Sequence, residues 1–214
     1  MNDYFLHFLK KIFYHLKDLL NYLLIHYPYL FLYYTLLYQK ILKMNTTSLE
    51  LNEIYDLAFN VLKKYGCDNF NAESVATTVT HAERDGSVSH GLFRIPGYVA
   101  SLKSKKANGN SKPTSKFLTQ NTIRVDGDYG FAPVAINVGI PSLIETTNKH
   151  GVGILTIQNT HHFAALWHET EALAENNLIG IACTAYKPSV APAGAKKPLF
   201  GTNPISFAWP RKNN

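Results

Sequence analysis

Cysteine is scarce in this 214-residue chain, which carries only Cys67 and Cys183, far apart in sequence. Two isolated thiols rule out a disulfide framework and offer no cysteine-based zinc site, and structural thiols in a reducing compartment point to the cytoplasm. Also missing are a GxGxxG run after a strand and a GxxxxGK run ending in Ser or Thr, so neither familiar phosphate-cradling loop supports nucleotide binding. No Glu lies between two His four residues apart, which removes the zincin pattern. The formal net charge is +6, but five lysines against two aspartates place half of it before Met44. The remainder has no basic block with interleaved aromatics, so nucleic-acid binding finds no support.

A second absence concerns residues 1–43, which contain no Ala, Gly, Val, Glu, Arg, Ser, Cys or Trp. Except for Asp, every amino acid whose codons begin with G is missing. Leu19 to Leu37 is nearly uncharged and about long enough to cross a bilayer (~20 residues). Pro28, His26 and Asn21 interrupt that span, lysines flank both ends, and no small-residue cleavage site marks a secretory signal. The composition matches translated AT-rich non-coding DNA, with Met44 as the natural start. The competing reading is a genuine membrane segment, in which case the chain is a membrane-tethered, non-catalytic binding protein.

The whole chain is 46% hydrophobic and 17% charged, which suits a sizeable core, and from Met44 it reads as an ordinary globular protein. The spacing predicts a helix capped by Thr47 or Ser48, striped with Leu51, Ile54, Leu57, Ala58, Val61 and Leu62, and ended by Gly66. A second helix runs from about Asn71 toward Gly86, and a third from Ile95 or Pro96 to about Leu102. Residues 103–116 read as an exposed loop. Ile123–Val125 form a strand closed by an Asp126-Gly127 turn, and 132–149 form a helix that Pro141 should kink or divide. Strand 152–157, helix 163–176 and strand 178–184 suggest an α/β layer with a parallel pair. A loop over 187–204 precedes a last strand, 205–209. The domain reading is a leader (1–43), a helical part with the chemistry (44–116), and an incomplete α/β part (117–214).

The stretch Ser89 to Tyr98 sets an imidazole, a guanidinium and a phenol four and eight residues apart, a spacing that helix or turn geometry can bring to one side. His90 titrates near neutral pH, and Arg94 can hold a carboxylate by two parallel hydrogen bonds. His161-His162-Phe163 stands at a strand–helix junction, where open α/β folds place ligand sites. His168 and Glu169 follow, which makes a His-based metallohydrolase the alternative to a metal-free site; the spacing favours no metal. Gly201-Thr202-Asn203-Pro204 alone is a weak turn signal.

Taken together, Ala82-Glu83-Arg84-Asp85-Gly86-Ser87-Val88-Ser89-His90-Gly91-Leu92-Phe93-Arg94-Ile95-Pro96-Gly97-Tyr98, Val125-Asp126-Gly127, His162-Phe163, Leu178-Ile179-Gly180-Ile181 and Gly201-Thr202-Asn203-Pro204 closely resemble the malate/L-lactate dehydrogenase family. This non-Rossmann family includes ureidoglycolate, sulfolactate and 3-dehydro-L-gulonate dehydrogenases and piperideine-2-carboxylate reductases. The resemblance spans about Met44 to Pro210. It implies a family-specific α/β fold in which a helical part precedes a mixed α/β nicotinamide-binding domain. It also implies NAD or NADP as cofactor, a small 2-oxo or 2-hydroxy acid such as malate or lactate as substrate, and a homodimer in the full-length form.

Carried over by residue, the resemblance makes His90 an acid/base with Ser89 its polar neighbour, Arg94 a substrate-binding cation, Tyr98 a pocket wall and His162 a proton acceptor. A cationic His would protonate oxygen as hydride reaches carbon, a contribution of roughly 10²- to 10⁴-fold. Tyr186, Thr202 and Asn203 fall on the cofactor side. Two departures stand out: Ala164 replaces a Gly common after His-Phe, and Ala185-Tyr186 replaces an Asn-Ser pair. The family's Asp-Met-Ala-Thr-Ser-like cofactor segment has no counterpart here, so a truncated product with weakened cofactor binding is the expectation.

Overall fold

Helix α1, Leu51–Lys64, buries Ile54, Ala58 and Leu62 on one face, as the three-to-four-residue spacing of its apolar stripe requires. Its cap is not Thr47 or Ser48. Glu50 occupies the N-cap in a capping box with Glu53, whose carboxylate accepts the Glu50 N–H at 2.8 Å. A carboxylate there also meets the positive end of the helix dipole. Helix α2, Asn69–Arg84, begins two residues earlier than the sequence suggested, because the Asp68 side chain accepts from Asn71 N–H at 2.9 Å. The computed structural model describes residues 47–211, so the readings of the leader 1–43 lie outside the described residues. No helix among the described residues is long and apolar enough to cross a membrane.

Two short 3₁₀ turns, Val88–His90 and Leu92–Arg94, lead into α3, Ile95–Lys103, with Pro96 in its first turn as expected. These helices enclose one core of Ala58, Leu62, Val75, Val79, Tyr98, Phe131 and Val134. Leu62 is fully buried, which stabilises the fold by about 1.5–3 kcal/mol relative to exposure.

Strand β1, Thr114–Thr119, occupies part of the stretch read as loop and pairs antiparallel with β2, Thr122–Asp126. Its six residues are all exposed, so no buried alternation marked it as a strand. Helix α4, Ala132–His150, continues through Pro141, which removes one helical hydrogen bond without dividing the element. Gly151 ends it in the left-handed conformation at φ 78°. Strand β3, Ile154–Gln158, then pairs in parallel with β2, so the β2–α4–β3 crossover supplies the parallel pair. Ile123 and Val125 of β2 are fully buried, and Gly139 of α4 lies so close that an added Cβ would meet Leu155 at 2.8 Å and Val125 at 3.1 Å.

The parallel pair expected between strands 152–157 and 178–184 does not form. Helix α5, Trp167–Ala174, is shorter than expected, and β4, Gly180–Cys183, pairs antiparallel with β5, Ile205–Ala208, in a separate sheet. Packing of α5 explains the outcome: it contacts both β4 and β5, and Thr170 Oγ1 lies 2.7 Å from Ser206 Oγ. The small sheet is therefore held by α5 from one side.

Candidate active site

The backbone that carries the site is fixed by side chains outside it. Glu83 of α2 accepts the Leu92 N–H at 2.7 Å, which pins the junction of the two 3₁₀ turns. The same carboxylate fills the space where a Cβ on Gly91 would stand, so a larger residue there would have to displace the Glu83 side chain from the Leu92 N–H. His90 and Arg94 close the two turns and lie on one continuous segment. Arg94 Nε donates to the Ser89 carbonyl at 2.6 Å, which leaves its terminal nitrogens for a ligand.

His90 Nδ1 stands 3.1 Å from Ser89 Oγ and 3.3 Å from Ser87 Oγ. With Nδ1 occupied by hydroxyls, Nε2 is the nitrogen available to a substrate. Burial lowers the His90 pKa, and the Arg94 charge lowers it further. Ser87 was not singled out by sequence reasoning, although serines one and three residues before a His are the signal that would have found it.

His162 arrives from the far side of β3. Gly127 N–H donates to the Gln158 carbonyl at 2.9 Å, and Asp126 Oδ2 accepts from Asn159 Nδ2 at 2.7 Å. A Cβ on Gly127 would collide with the Thr160 methyl, so Asp126-Gly127 is a platform for the 158–162 segment as well as a turn. Past it, His161 forms a parallel bridge with Phe131. The backbone then enters the left-handed region at His162, φ 54°, a conformation that costs a non-glycine residue of order 1 kcal/mol and tends to gather at functional sites.

That turn delivers His162 Nδ1 to within 3.1 Å of the Tyr98 hydroxyl, 64 residues away in sequence. Burial pushes the Tyr98 phenol up to about 12. Burial first, then the charges of Arg94, His161 and His90, push His162 down to about 4. At neutral pH the phenol is protonated and the imidazole neutral; in the tautomer whose Nδ1 accepts from the phenol, Nε2–H is the free donor of His162. Sequence reasoning envisaged a cationic His; in this site the neutral rings are the resting forms. A bound carboxylate would oppose the depression by partly neutralising Arg94.

The segment thus brings Ser89, His90 and Arg94 together, and joins Tyr98 to His162. The charge of Arg94 is felt at His90, Tyr98 and His162 alike, which puts all four groups in one electrostatic neighbourhood. His161 takes a different partner, Ser101 Oγ, at 2.9 Å from its Nε2. His168 packs against His81 and Trp167 with ring centroids 5.5 and 5.0 Å apart. Among the described residues no group of three or more His, Cys, Asp and Glu side chains gathers as a metal site would require.

Tyr186, Thr202 and Asn203 lie in the loop before β5. Asn203 Oδ1 accepts the Tyr186 N–H at 3.0 Å and holds the two ends of the loop together. Asn203 Nδ2, the exposed Thr202 hydroxyl and the half-exposed Tyr186 ring remain, a donor set and an aromatic face that fit a carboxamide and a flat heterocycle. No hydrogen bond or ring contact joins this loop to His90 or His162 among the described residues.

Comparison with known proteins identifies the family. A family profile described as malate/L-lactate dehydrogenase matches residues 49–214. The chain is 40% identical over 163 residues to Delta(1)-pyrroline-2-carboxylate reductase 2 of Burkholderia multivorans, covering 76% of this chain and 48% of the relative. The solved Δ1-piperideine-2-carboxylate reductase of Pseudomonas syringae is similar at a TM-score of 0.74 and 38% identity, over 79% of this chain and 51% of that one. Malate dehydrogenase of Entamoeba histolytica matches at a TM-score of 0.74 and 30% identity, over 79% and 47%. The chain therefore spans about half the length of the curated relatives it matches.

Proposed function

Because the chain belongs to the malate/L-lactate dehydrogenase family, a family of oxidoreductases, we propose that it serves hydride transfer between NADH or NADPH and a small carboxylate with a C=N or C=O bond at its second carbon. A cyclic imine carboxylate of the Δ1-pyrroline-2-carboxylate kind is the preferred substrate, ahead of the partners of malate and lactate. The observation that carries this reading is the Tyr98–His162 hydrogen bond of 3.1 Å, which brings a second imidazole to the helix that directly follows the His90 and Arg94 turns. Two features favour the imine. The relatives that match at 40% identity are named for pyrroline carboxylate, and one shared guanidinium suits a monocarboxylate better than a diacid.

In this mechanism a nicotinamide held by Tyr186, Thr202 and Asn203 would supply the hydride. Arg94 grips the carboxylate through its terminal nitrogens, while its Nε stays on the Ser89 carbonyl, and so sets which face of the C=N bond is presented. Hydride adds to the carbon, and the nitrogen retains or gains one proton to become the amine. His162 polarises that nitrogen or oxygen through Nε2–H, as a neutral imidazole braced by Tyr98. His90 Nε2 exchanges the proton, its other nitrogen being held by Ser87 and Ser89.

The test is oxidation of NADH and NADPH followed by absorbance, with Δ1-pyrroline-2-carboxylate, pyruvate and oxaloacetate compared at equal concentration. The imine should give the highest kcat/KM. Preference for oxaloacetate would overturn the substrate assignment, and no oxidation with any of the three would overturn the reaction.

A further inference from the structure

We infer that Trp167 is a positioning residue for His90, and that it ties His90 to the same segment that carries His162. This rests on the reading of His90 as a reacting group, and it concerns a residue that the proposed reaction does not use. Trp167 is the first residue of α5, five residues after His162. Its indole N–H donates to Asp85 Oδ2 at 3.1 Å. Asp85, at the end of α2, is itself clamped by Arg84, with Nε to Oδ1 at 2.7 Å and Nη2 to Oδ2 at 3.0 Å. The indole is thus anchored at its nitrogen, with His168 stacked obliquely against it at 5.0 Å.

The same indole meets the His90 ring edge to face, with centroids 6.4 Å apart and planes at 77°. Such aromatic contacts have a preferred geometry and restrict the rotation of the smaller ring. Ser87 and Ser89 hold Nδ1 but, as two rotatable hydroxyls, they fix a nitrogen and not a plane. The indole supplies that second constraint. The chain of contacts Arg84–Asp85–Trp167–His90 thus acts on the placement of the ring. Because 162 and 167 belong to one short segment, a displacement of α5 would move both histidines together.

The experiment reads the His90 ring directly, in the full chain, by nitrogen-15 and proton NMR of its titration, its tautomer and its contacts with the indole. Trp167→Leu should abolish the constraint, mix the two tautomers and raise the His90 pKa as burial is lost. Trp167→Phe keeps a ring and loses the N–H, and Asp85→Ala removes the anchor; each should give an intermediate tautomer mixture. Should Trp167→Leu fail to fold, these two variants carry the test. A His90 titration and tautomer unchanged in all folded variants would overturn the inference. Failure to reduce any imine would sink the proposed reaction while leaving these spectra decisive for placement.

Discussion

The most quantitative consequence of the site lies in how stability depends on pH. His162 sits near 4 in the folded chain against an ordinary value of 6.5, so between those pH values the unfolded chain binds a proton that the folded one refuses. Its contribution is fully present above 6.5 and is lost as pH falls toward 4, about 2 kcal/mol of it between pH 7 and 5. Glu169 works in the opposite sense. Burial raises its carboxyl from 4.5 to about 7, and Oε2 is buried without a hydrogen-bond partner. The folded chain holds that proton first, so stability rises as pH falls from 7 toward 4.5, again by about 2 kcal/mol to pH 5. His168 is displaced to about 4 like His162, by burial and then by His81, with its weight reduced by solvent screening.

The two larger contributions nearly cancel in the natural chain, and substitution separates them. His162→Asn removes the titration while tolerating the left-handed backbone. Relative to the natural chain, this variant should gain about 2 kcal/mol of unfolding free energy on going from pH 7 to 5. Glu169→Gln should lose a similar amount. Urea unfolding followed by tryptophan fluorescence at pH 7, 6 and 5 measures both, and groups common to all three chains drop out of the differences. An His162→Asn variant whose stability follows the natural chain at every pH would refute the burial and charge argument for this histidine.

Other outcomes follow from single contacts. Gly91→Ala would drive a Cβ into the Glu83 carboxylate and should cost about 1–3 kcal/mol by thermal or urea unfolding; an unchanged midpoint would show that the turn is not clamped as described. Tyr98→Phe should cost about 1 kcal/mol and shift the His162 tautomer equilibrium, both read from one NMR-monitored titration. Arg94→Lys should weaken binding of a small carboxylate about tenfold, measured by calorimetry, because an ammonium cannot reproduce two parallel hydrogen bonds.

The helical part was largely legible in the sequence because its signals are local. The stripe of α1, its end just before Gly66 and the Pro96 start of α3 each follow from neighbours within one turn. Thr47 and Ser48 misled because a capping box two residues on satisfied the helix better. Strand β1 was invisible because Thr114–Thr119 has no buried face, and strand pairing failed because the apolar residues of β3 do not say which edge they meet. Helix α5 starts four residues later than the sequence predicts. Phe163 to Leu166 favour helix, but the left-handed turn at His162 delays its first turn until Trp167.

Within the site, Ser89, His90 and Arg94 stood out by spacing, whereas the Tyr98–His162 bond depends on where β3 ends relative to α3. Only the pairing of β2 with β3 and the Asp126-Gly127 platform create that proximity. The likeness to known dehydrogenase motifs supplied the pairing of roles that no local pattern contains. Ser87, Trp167 and Asp85 escaped notice because each acts on His90 from a polar or aromatic position that has no motif of its own.

The central claim is that Arg94, His90, Tyr98 and His162 form one carboxylate-binding site. It is tested most directly by titrating the chain with Δ1-pyrroline-2-carboxylate and following the Arg94 Nε–H and the ring signals of His90, Tyr98 and His162 by NMR. All four signals should move along one binding curve, and Arg94→Lys should shift that curve to higher concentration. Shifts confined to other residues, or four signals that stay still at saturating ligand, would contradict it.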